Sequence, residues 1–246
     1  MHMSQMARAP YLFVKHSEGW NIDRCTRWME QTGRSVEFCY PTSGQAFPDP
    51  ASYSGVMVFG GRWVVSDAGS EPWILEEQRF IERCLHIGLP YFGICLGAQM
   101  LAHVLGSSVS SHPDGIREVG FHRVVPTDEG KHFLHHPLSV MQWHGEGFDL
   151  PAGATRLATS PAAGASAFPN QAFSLDRRTV GVQFHPEVNP DVLAIWHERN
   201  RQRAPDDLTD AERATQAADA LRHDAAISAW VNEILSDWTT EDAPEV

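Results

Sequence analysis

Cys95 is the residue whose type and surroundings best fit covalent chemistry. It ends an apolar run and has a glycine two positions away on each side, in Gly93-Ile94-Cys95-Leu96-Gly97. The pattern predicts a buried strand that turns sharply into a helix and holds the thiol at the turn, as a nucleophile elbow holds a serine. The N–H groups at the start of a helix stabilise a thiolate and can receive an oxyanion. The alternative is a buried structural cysteine, because free cysteines are among the most buried residues.

His185 and Glu187 are the residue types that a cysteine nucleophile requires as partners. They follow a predicted strand that ends near Phe184, and Pro186 between them stiffens the backbone. A base must take the thiol proton and later return it to the leaving group, and an acceptor on its second ring nitrogen must fix its orientation. The alternative is a histidine at a strand end beside a solvated glutamate.

Two further segments offer groups that could face a ligand. Gly60 and Gly61 follow a predicted buried strand. Their N–H groups and that of Leu96 could form an oxyanion hole, in which each donor is typically worth roughly 3–4 kcal/mol of barrier. The glycine pair could equally serve only a turn with positive φ. The segment Trp143-His144-Gly145-Glu146 offers a donor and a carboxylate beside a flexible glycine, or is simply a loop.

The remaining histidines and cysteines are predicted to be structural. The histidine cluster at residues 132 to 136 has no cysteine, aspartate or glutamate at ligand spacing, so no metal site is expected there. Cys25, Cys39 and Cys84 lie in predicted strands or helices. The absence of a C-x-x-C pair argues against a zinc site and a disulfide framework.

Hydrophobic periodicity predicts the elements that must position these residues. In the first half, strands at 11–14, 35–39, 55–59 and 89–94 alternate with helices at 22–33 and 73–87, and a further helix follows Cys95. This rhythm predicts a parallel, doubly wound sheet, in which ligands lie beyond the carboxyl ends of the strands.

The second half has a different pattern. Short alternating segments between residues 119 and 182 predict a more antiparallel layer, and helices follow Pro186. The last helix is predicted to begin at a capping box near Thr209. Its apolar positions are predicted to pack in the core: Leu221, Ile227, Trp230, Val231, Ile234 and Trp238.

The composition limits the partners. The 246 residues carry a formal net charge of −12 with no sustained basic stretch, which argues against nucleic acids and anionic membranes. No apolar run approaches membrane-spanning length, and unpaired thiols fit a reducing compartment, so a cytoplasmic protein is expected. Residues 1–10 are expected to be a disordered leader, 11–240 a single domain, and 241–246 a disordered acidic tail.

Taken together, these segments resemble the class I (triad) glutamine amidotransferases. The resemblance lies in three segments: residues 93–99 around Cys95, residues 183–187, and Phe59-Gly60-Gly61. The predicted catalytic residues also occur along the chain in the family's order of Cys, His and Glu. It covers roughly residues 11 to 200. The run from Trp143 to Pro151 resembles stand-alone members related to the amidotransferase domain of GMP synthetase.

The resemblance implies a flavodoxin-like three-layer α/β/α sandwich, mostly parallel with an added antiparallel segment, that hydrolyses the side-chain amide of glutamine without cofactor or metal. It implies that Cys95 attacks the amide, that His185 protonates the ammonia and then activates water, and that Glu187 orients His185. The N–H groups of Gly61 and Leu96 would hold the oxyanion. The resemblance also assigns a set of substrate-binding residues: Gly60, Gln99, Glu118, Val119, Gly120, His144, Gly145 and Glu146.

Two departures from the family pattern leave the function open. Arg62 follows Gly61 where the family often has Gly-Gly-Pro or Gly-Pro-Gly, and a basic side chain there could alter which acyl group is accepted. No synthetase domain is expected in the chain. Either a separate synthetase subunit accepts the ammonia, or the protein is a stand-alone γ-glutamyl hydrolase or peptidase. A non-catalytic binding or regulatory protein on the same fold is the third hypothesis.

Overall fold

The computed structural model describes residues 8–161 and 168–240. The strands in these residues are β1 (Tyr11–Val14), β2 (Val36–Cys39), β3 (Gly55–Val58), β4 (Tyr91–Ile94), β5 (Val109–Ser111), β6 (Glu118–Pro126), β7 (Leu138–His144), β8 (Glu146–Phe148), β9 (Thr155–Thr159), β10 (Ala172–Ser174) and β11 (Thr179–Val182). The α-helices are α1 (Arg24–Gln31), α2 (Pro72–His86), α3 (Leu96–Val104), α4 (Pro190–Arg203) and α5 (Asp210–Trp238).

Five parallel strands form one half of the main sheet, in the order β2-β1-β3-β4-β11. This is the strand order of flavodoxin-like folds, so the predicted fold is confirmed. The register pairs Ile94 of β4 with Val182 of β11. The residues that follow these two strands therefore leave the sheet side by side at its carboxyl edge.

Four antiparallel strands continue the same sheet, in the order β10-β9-β6-β7. Strand β7 returns toward the parallel half, where the N–H of His185 donates to the carbonyl oxygen of Met141 at 2.8 Å. The predicted antiparallel layer is therefore an extension of one sheet, and it contacts the carboxyl edge of the parallel strands.

Helices cover both faces of the sheet, which completes the predicted three layers. The first face packs against α1, α4 and α5 through residues such as Met29, Val192 and Val231, and the second packs against α2 and α3 through residues such as Phe80 and Met100. The burial of these apolar side chains is the main contribution that holds the layers together.

The helix starts follow from capping side chains. Asp23 accepts a hydrogen bond from the N–H of Thr26, so α1 begins at Arg24 and the predicted start at residue 22 was too early. The predicted capping box at α5 is confirmed, because the side chains of Thr209 and Glu212 each accept a hydrogen bond from the other's backbone N–H.

Other details differ from the sequence predictions. The predicted polar loop at 62–72 contains a 3₁₀ helix, Val65–Gly69. The predicted tail at 241–246 and most of the predicted leader lie outside the described residues. Within that leader, Ala9 and Pro10 accept hydrogen bonds from Ser54. No described helix is both long and apolar enough to cross a membrane.

Leu221 corrects the predicted core face of α5, because its side chain is 71% exposed. The other predicted core positions of the helix are buried, and Leu235, which the prediction missed, is 2% exposed. A helix of this length turns some apolar positions to solvent, because only one stripe faces the sheet.

Leu221 and Leu235 therefore make a matched pair for testing the packing of α5. We expect Leu235→Ala to lower the free energy of unfolding by roughly 2–5 kcal/mol, since it removes buried methyl groups and leaves a cavity. Leu221→Ala should change it by less than about 0.5 kcal/mol. Urea unfolding of both variants measures this, and equal losses would contradict the assigned face.

Candidate active site

Cys95 occupies the turn between β4 and α3. Its φ of 50° and ψ of −105° are unusual, and among the described residues no other non-glycine residue has a positive φ. The turn is held by two hydrogen bonds: the Cys95 N–H donates to Val182 O at 2.8 Å, and the Gln99 N–H donates to Cys95 O at 2.9 Å. Strained backbone of this kind persists only where its surroundings impose it, and it is concentrated at functional sites.

The two glycines beside Cys95 are required by close backbone approach. A Cβ atom on Gly93 would lie 2.6 Å from Gly97 O, and one on Gly97 would lie 2.2 Å from Val58 O. Neither distance is tolerable for a carbon atom. The strand and the helix can therefore meet at this angle, against β3, only with glycine at both positions.

His185 and Glu187 form a buried pair beside this turn. The Nδ1–H of His185 donates to Glu187 Oε1 at 2.8 Å, and both side chains are almost inaccessible to solvent. Burial alone would lower the pKa of His185, but the charges of Glu187 and Cys95 and its hydrogen bonds to both outweigh burial and raise this pKa to about 10. The ring is therefore an imidazolium at neutral pH.

The second ring nitrogen of His185 is the one available for chemistry. Its Nε2 is buried and has no well-formed nitrogen or oxygen partner among the described residues, and the nearby Cys95 thiol contributes to the raised pKa. Catalytic hydrogen bonds are often long before substrate binds. The structure therefore brings together the three residues predicted as nucleophile, base and orienting carboxylate.

Arg24 fixes the segment that carries His185 and Glu187. Its guanidinium donates to Pro186 O at 2.6 Å and to Val188 O at 2.8 Å, and its backbone N–H donates to Glu187 O at 2.9 Å. A cation at the first position of a helix opposes the helix dipole. That unfavourable placement was a sequence signal for a specific role, and the sequence analysis missed it.

Gln99 and Gln183 connect Cys95 to the start of β8. Gln183 Nε2 lies 3.7 Å from Cys95 Sγ, and Gln99 Nε2 donates to Gln183 Oε1 at 3.3 Å and to Glu146 O at 3.0 Å. Burial raises the pKa of the Glu146 carboxyl, whose Oε2 is buried without a partner among the described residues. Two of the predicted substrate-binding residues, Gln99 and Glu146, thus lie in the network next to the thiol.

Gly60 and Gly61 lie directly over the same centre. Neither has a positive φ, so the alternative of a turn that needs positive φ does not explain the pair. A Cβ atom on Gly60 would lie 2.7 Å from His185 Cε1 and 3.3 Å from Cys95 Cβ. The N–H groups of Gly61 and Leu96 have no hydrogen-bond acceptor among the described residues. The two amides predicted as oxyanion donors are therefore available to a ligand.

His16 and Glu77 form a buried pair behind this glycine loop. His16 follows β1, its Nδ1 donates to Gly60 O at 3.1 Å, and its Nε2 donates to Glu77 Oε2 at 2.8 Å. Burial lowers the pKa of His16, but the Glu77 charge, together with the hydrogen bonds to Glu77, Gly60 and Phe59, gives a net increase. The sequence analysis missed this pair. Its signal was a glutamate inside the apolar stripe of α2, three positions after Ile74.

The remaining predicted substrate-binding residues are divided between two places. His144 Nε2 lies 3.1 Å from Glu118 Oε2 in a buried network, and Gly145 is the single residue between β7 and β8. Val119 and Gly120 instead line a surface depression against α5, on the side of Gln216. The structure does not bring these two to Cys95, and their role in substrate binding stays a prediction.

A cavity of about 340 Å³ opens beside His185. Arg62, which the sequence placed beside the mouth of the site, is part of its wall. The full lining combines the glycine loop, three tryptophans, three arginines and two polar residues: Gly60, Gly61, His185, Trp20, Trp143, Trp196, Arg62, Arg199, Arg203, Ser17 and Asn200. Helix α4 supplies four of these residues, none of which the sequence analysis selected.

The family model for glutamine amidotransferase class-I matches residues 19–194. The chain belongs to this family. A Saccharomyces cerevisiae protein provisionally named a glutamine amidotransferase is 30% identical over 178 residues, which are 68% of each chain. The GMP synthase of Aeromonas hydrophila is 33% identical over 150 residues, 55% of this chain and 26% of that protein. The chain thus spans about a quarter of the length of such GMP synthases.

Solved structures agree with this family. A glutamine amidotransferase from Thermotoga maritima superposes with a TM-score of 0.86 at 28% identity, over 96% of this chain and 100% of the other. A glutamine amidotransferase from Methylobacillus flagellatus superposes with a TM-score of 0.83 at 20% identity, over 97% of this chain and 98% of that chain, which supports the fold alone.

The described part of this amidotransferase contains no group of three or more His, Cys, Asp or Glu side chains that could hold a metal ion. In the histidine cluster at residues 132 to 136, where no metal site was expected, His135 Nε2 contacts Glu233 Oε1 at 2.7 Å on the surface. Cys25, Cys39 and Cys84 are buried free thiols.

The His16–Glu77 pair gives a prediction with a control at the neighbouring position of α2. Glu77→Gln should lower the free energy of unfolding by roughly 3–5 kcal/mol, because it leaves a buried histidine without its charged partner. Glu76→Gln removes only an exposed pair with Arg79 and should cost less than about 1 kcal/mol. Urea unfolding measures both, and a similar small loss in each would show that the buried pair does not support the glycine loop.

Proposed function

We propose that this chain is a single amidotransferase domain, spanning residues 11–240, that hydrolyses the side-chain amide of glutamine through a thioester on Cys95. The observation that carries the proposal is the buried His185 ring, whose pKa is raised by Glu187 on one side and by Cys95 on the other. A cysteine on a strained strand-to-helix turn, next to an imidazolium, has the arrangement of an activated nucleophile.

The proposed reaction gives each group at the centre a defined role. Cys95 Sγ attacks the amide carbon, and the N–H groups of Gly61 and Leu96 receive the developing oxyanion. His185 Nε2 gives its proton to the departing ammonia, then takes a proton from the water that attacks the thioester. Glu187 keeps the ring oriented through Nδ1 in both steps.

The glutamyl end of the substrate is proposed to lie on the side of Gln99 and Glu146. The buried Oε2 of Glu146, which has no hydrogen-bond partner among the described residues, suits the substrate's α-ammonium group, and Gln99 Nε2 donates to the backbone oxygen of the same residue. Gly60, which lies against both His185 and Cys95, and Gly145, which directly precedes Glu146, are proposed to border this end, and the buried contact between His144 and Glu118 supports the turn into β8. This division leaves the opposite side of Cys95, next to His185, for the leaving group.

The ammonia acceptor is proposed to be a separate synthetase subunit. The support is the similarity to GMP synthases, which are named as glutamine-hydrolysing and of which this chain matches about a quarter. A specific observation favours a second candidate, a γ-glutamyl hydrolase or peptidase with the same triad. The cavity of about 340 Å³ beside His185 offers space that an ammonia molecule does not need.

The direct test replaces the proposed nucleophile. Cys95→Ala should abolish glutamine hydrolysis, since no other described thiol lies at the centre, while the control Cys39→Ala should retain it. Release of glutamate from glutamine is the assay. A mechanism-based electrophilic glutamine analogue should label Cys95 in the parent and in the control. Undiminished hydrolysis by Cys95→Ala would refute the proposal, and failure of the analogue to label Cys95 would favour a non-catalytic protein.

The pH dependence gives an independent prediction. Activity should fall on acidification as the Cys95–His185 pair takes up a proton, and again toward pH values near 10, where His185 loses the proton that the leaving ammonia needs. Because Glu187 raises the pKa of His185, Glu187→Gln should move the alkaline limb to lower pH. Initial rates of parent and variant from pH 5 to 10.5 measure both limbs. A flat profile between pH 5 and 8, or an unmoved alkaline limb, would contradict the pairing.

A further inference from the structure

The cavity beside His185 lies on the leaving-group side of the proposed nucleophile. Its wall includes His185 and the Gly60–Gly61 loop but excludes Gln99 and Glu146, the residues proposed to hold the glutamyl end. Because His185 must protonate the departing nitrogen, any substituent on that nitrogen extends into this cavity. A volume of about 340 Å³ is within the range of sites for small organic ligands. The substrate inferred from this cavity rests on the proposed function.

Three tryptophan rings give the cavity an apolar wall with a fixed shape. Trp196 lies at the centre of this group. Its ring contacts the His185 ring edge-on, with ring centroids 4.9 Å apart. The centroid of the Trp196 ring lies 5.9 Å from that of Trp143 and 6.1 Å from that of Trp20. The Nε1–H of Trp20 also donates to Ser17 Oγ at 2.7 Å. Rings held by such contacts offer stacking faces and edges to an aromatic ligand.

Three arginines give the same cavity an excess of positive charge. The guanidinium of Arg199 is held by Ser17 Oγ at 3.1 Å and by the backbone oxygen of Glu18 at 2.7 Å. Arg62 stacks on the Trp63 ring at 4.3 Å, and Arg203 is exposed at the end of α4. None of these three forms an ion pair with a carboxylate in the described residues.

This lack of acidic partners distinguishes the cavity from the rest of the surface. The whole chain carries a formal net charge of −12, and most of its other arginines pair with a carboxylate. Burial and the neighbouring Arg203 lower the pKa of Arg199, as expected where cations are crowded without an anion. Tryptophan cages also bind cations. Here three guanidinium groups would repel a cationic ligand, so the charges favour an anion.

We propose that the substrate is a γ-glutamyl derivative of an aromatic amino acid, with its ring among the three tryptophans and its free carboxylate bound by Arg62, Arg199 and Arg203. Guanidinium groups bind carboxylates through paired, charge-assisted hydrogen bonds. The carboxylate is two bonds from the scissile nitrogen, and the ring extends further from the same carbon atom. Both groups therefore enter the cavity on the His185 side.

The reaction is a hydrolysis and needs no further reactant than water. A bond forms between Cys95 Sγ and the carbonyl carbon of the γ-glutamyl group, the C–N bond breaks, and the aromatic amino acid leaves with the proton of His185 on its nitrogen. Water then bonds to the same carbon and gives a proton to His185, and the C–S bond breaks to release the Cys95 thiolate. The products are glutamate and the free aromatic amino acid.

A pair of substrates that differ only in the carboxylate tests the proposal. The parent protein should hydrolyse γ-glutamyl-phenylalanine with a kcat/KM at least about tenfold above that for γ-glutamyl-phenethylamide, the ratio expected for a charged, partly exposed hydrogen bond. Arg62→Gln, Arg203→Gln and their combination should reduce this ratio toward one, chiefly through KM for the carboxylate substrate. Both arginines are exposed, so these variants should fold.

The controls separate this inference from the proposed function. Arg156→Gln replaces an exposed arginine of β9 outside the cavity and should leave the ratio and glutamine hydrolysis unchanged. Equal kcat/KM for the two amides, a preference for γ-glutamyl-putrescine, or an unchanged ratio in the double variant would overturn the inference while Cys95-dependent glutamine hydrolysis persists. If hydrolysis did not depend on Cys95, both the proposed function and the proposed substrate would be contradicted.

Discussion

The arrangement of the site depends on one buried imidazolium held between two acidic groups. Burial disfavours the charged form of His185, so the charge persists only because Glu187 faces one ring nitrogen and Cys95 lies near the other. Each neighbouring feature maintains this geometry. The strained turn holds Cys95 in place, and Arg24 clamps the backbone on both sides of Glu187. A shift of about 1 Å in either feature would weaken the contacts of His185 with Glu187 and Cys95, and a buried site offers no bulk solvent to take their place.

The parallel sheet explains why groups so distant in the chain meet. Four adjacent strands, in the order β1-β3-β4-β11, end at one edge and are followed by His16, Gly60, Cys95 and Gln183, in that order. The antiparallel strands then add His144 and Glu146 from the side. Helix α4 closes the remaining side with Trp196 and its arginines. In the proposed binding mode, the scaffold thus separates a glutamyl side from a leaving-group side, with the thiol between them.

Local patterns in the sequence were sufficient for the centre of the site. The glycines around Cys95 and the pair Gly60–Gly61 could be interpreted because these positions lie so close to neighbouring atoms that only glycine fits without a clash. The alternation of strands and helices also predicted the parallel, doubly wound sheet, but it did not give the order of the strands. Leu221 was assigned to the wrong face, because a long helix contains more apolar positions than its buried stripe uses.

The residues that surround the centre could not be assigned in the same way. His16 and Glu77 are 61 positions apart, and α4 is placed beside the cavity by tertiary packing, including its contacts with α5. Spacing along the chain carries no information on such contacts. Two residues in unfavourable positions did indicate them: the glutamate in the apolar stripe of α2, which pairs with His16, and the arginine at the start of α1, which binds the segment of His185 and Glu187. Val119 and Gly120 were selected by similarity of a segment alone, and they line a surface depression away from the thiol, so their role in substrate binding stays a prediction.

The central claim is that Cys95 becomes covalently bonded to the γ-glutamyl group during turnover. The most direct measurement mixes the protein with glutamine, stops the reaction with acid within the first turnovers and determines the mass of the peptide that contains Cys95. This peptide should gain the mass of one γ-glutamyl group, and the adduct should disappear as glutamate is released. Formation of glutamate while the Cys95 peptide stays unmodified at every time would contradict the claim.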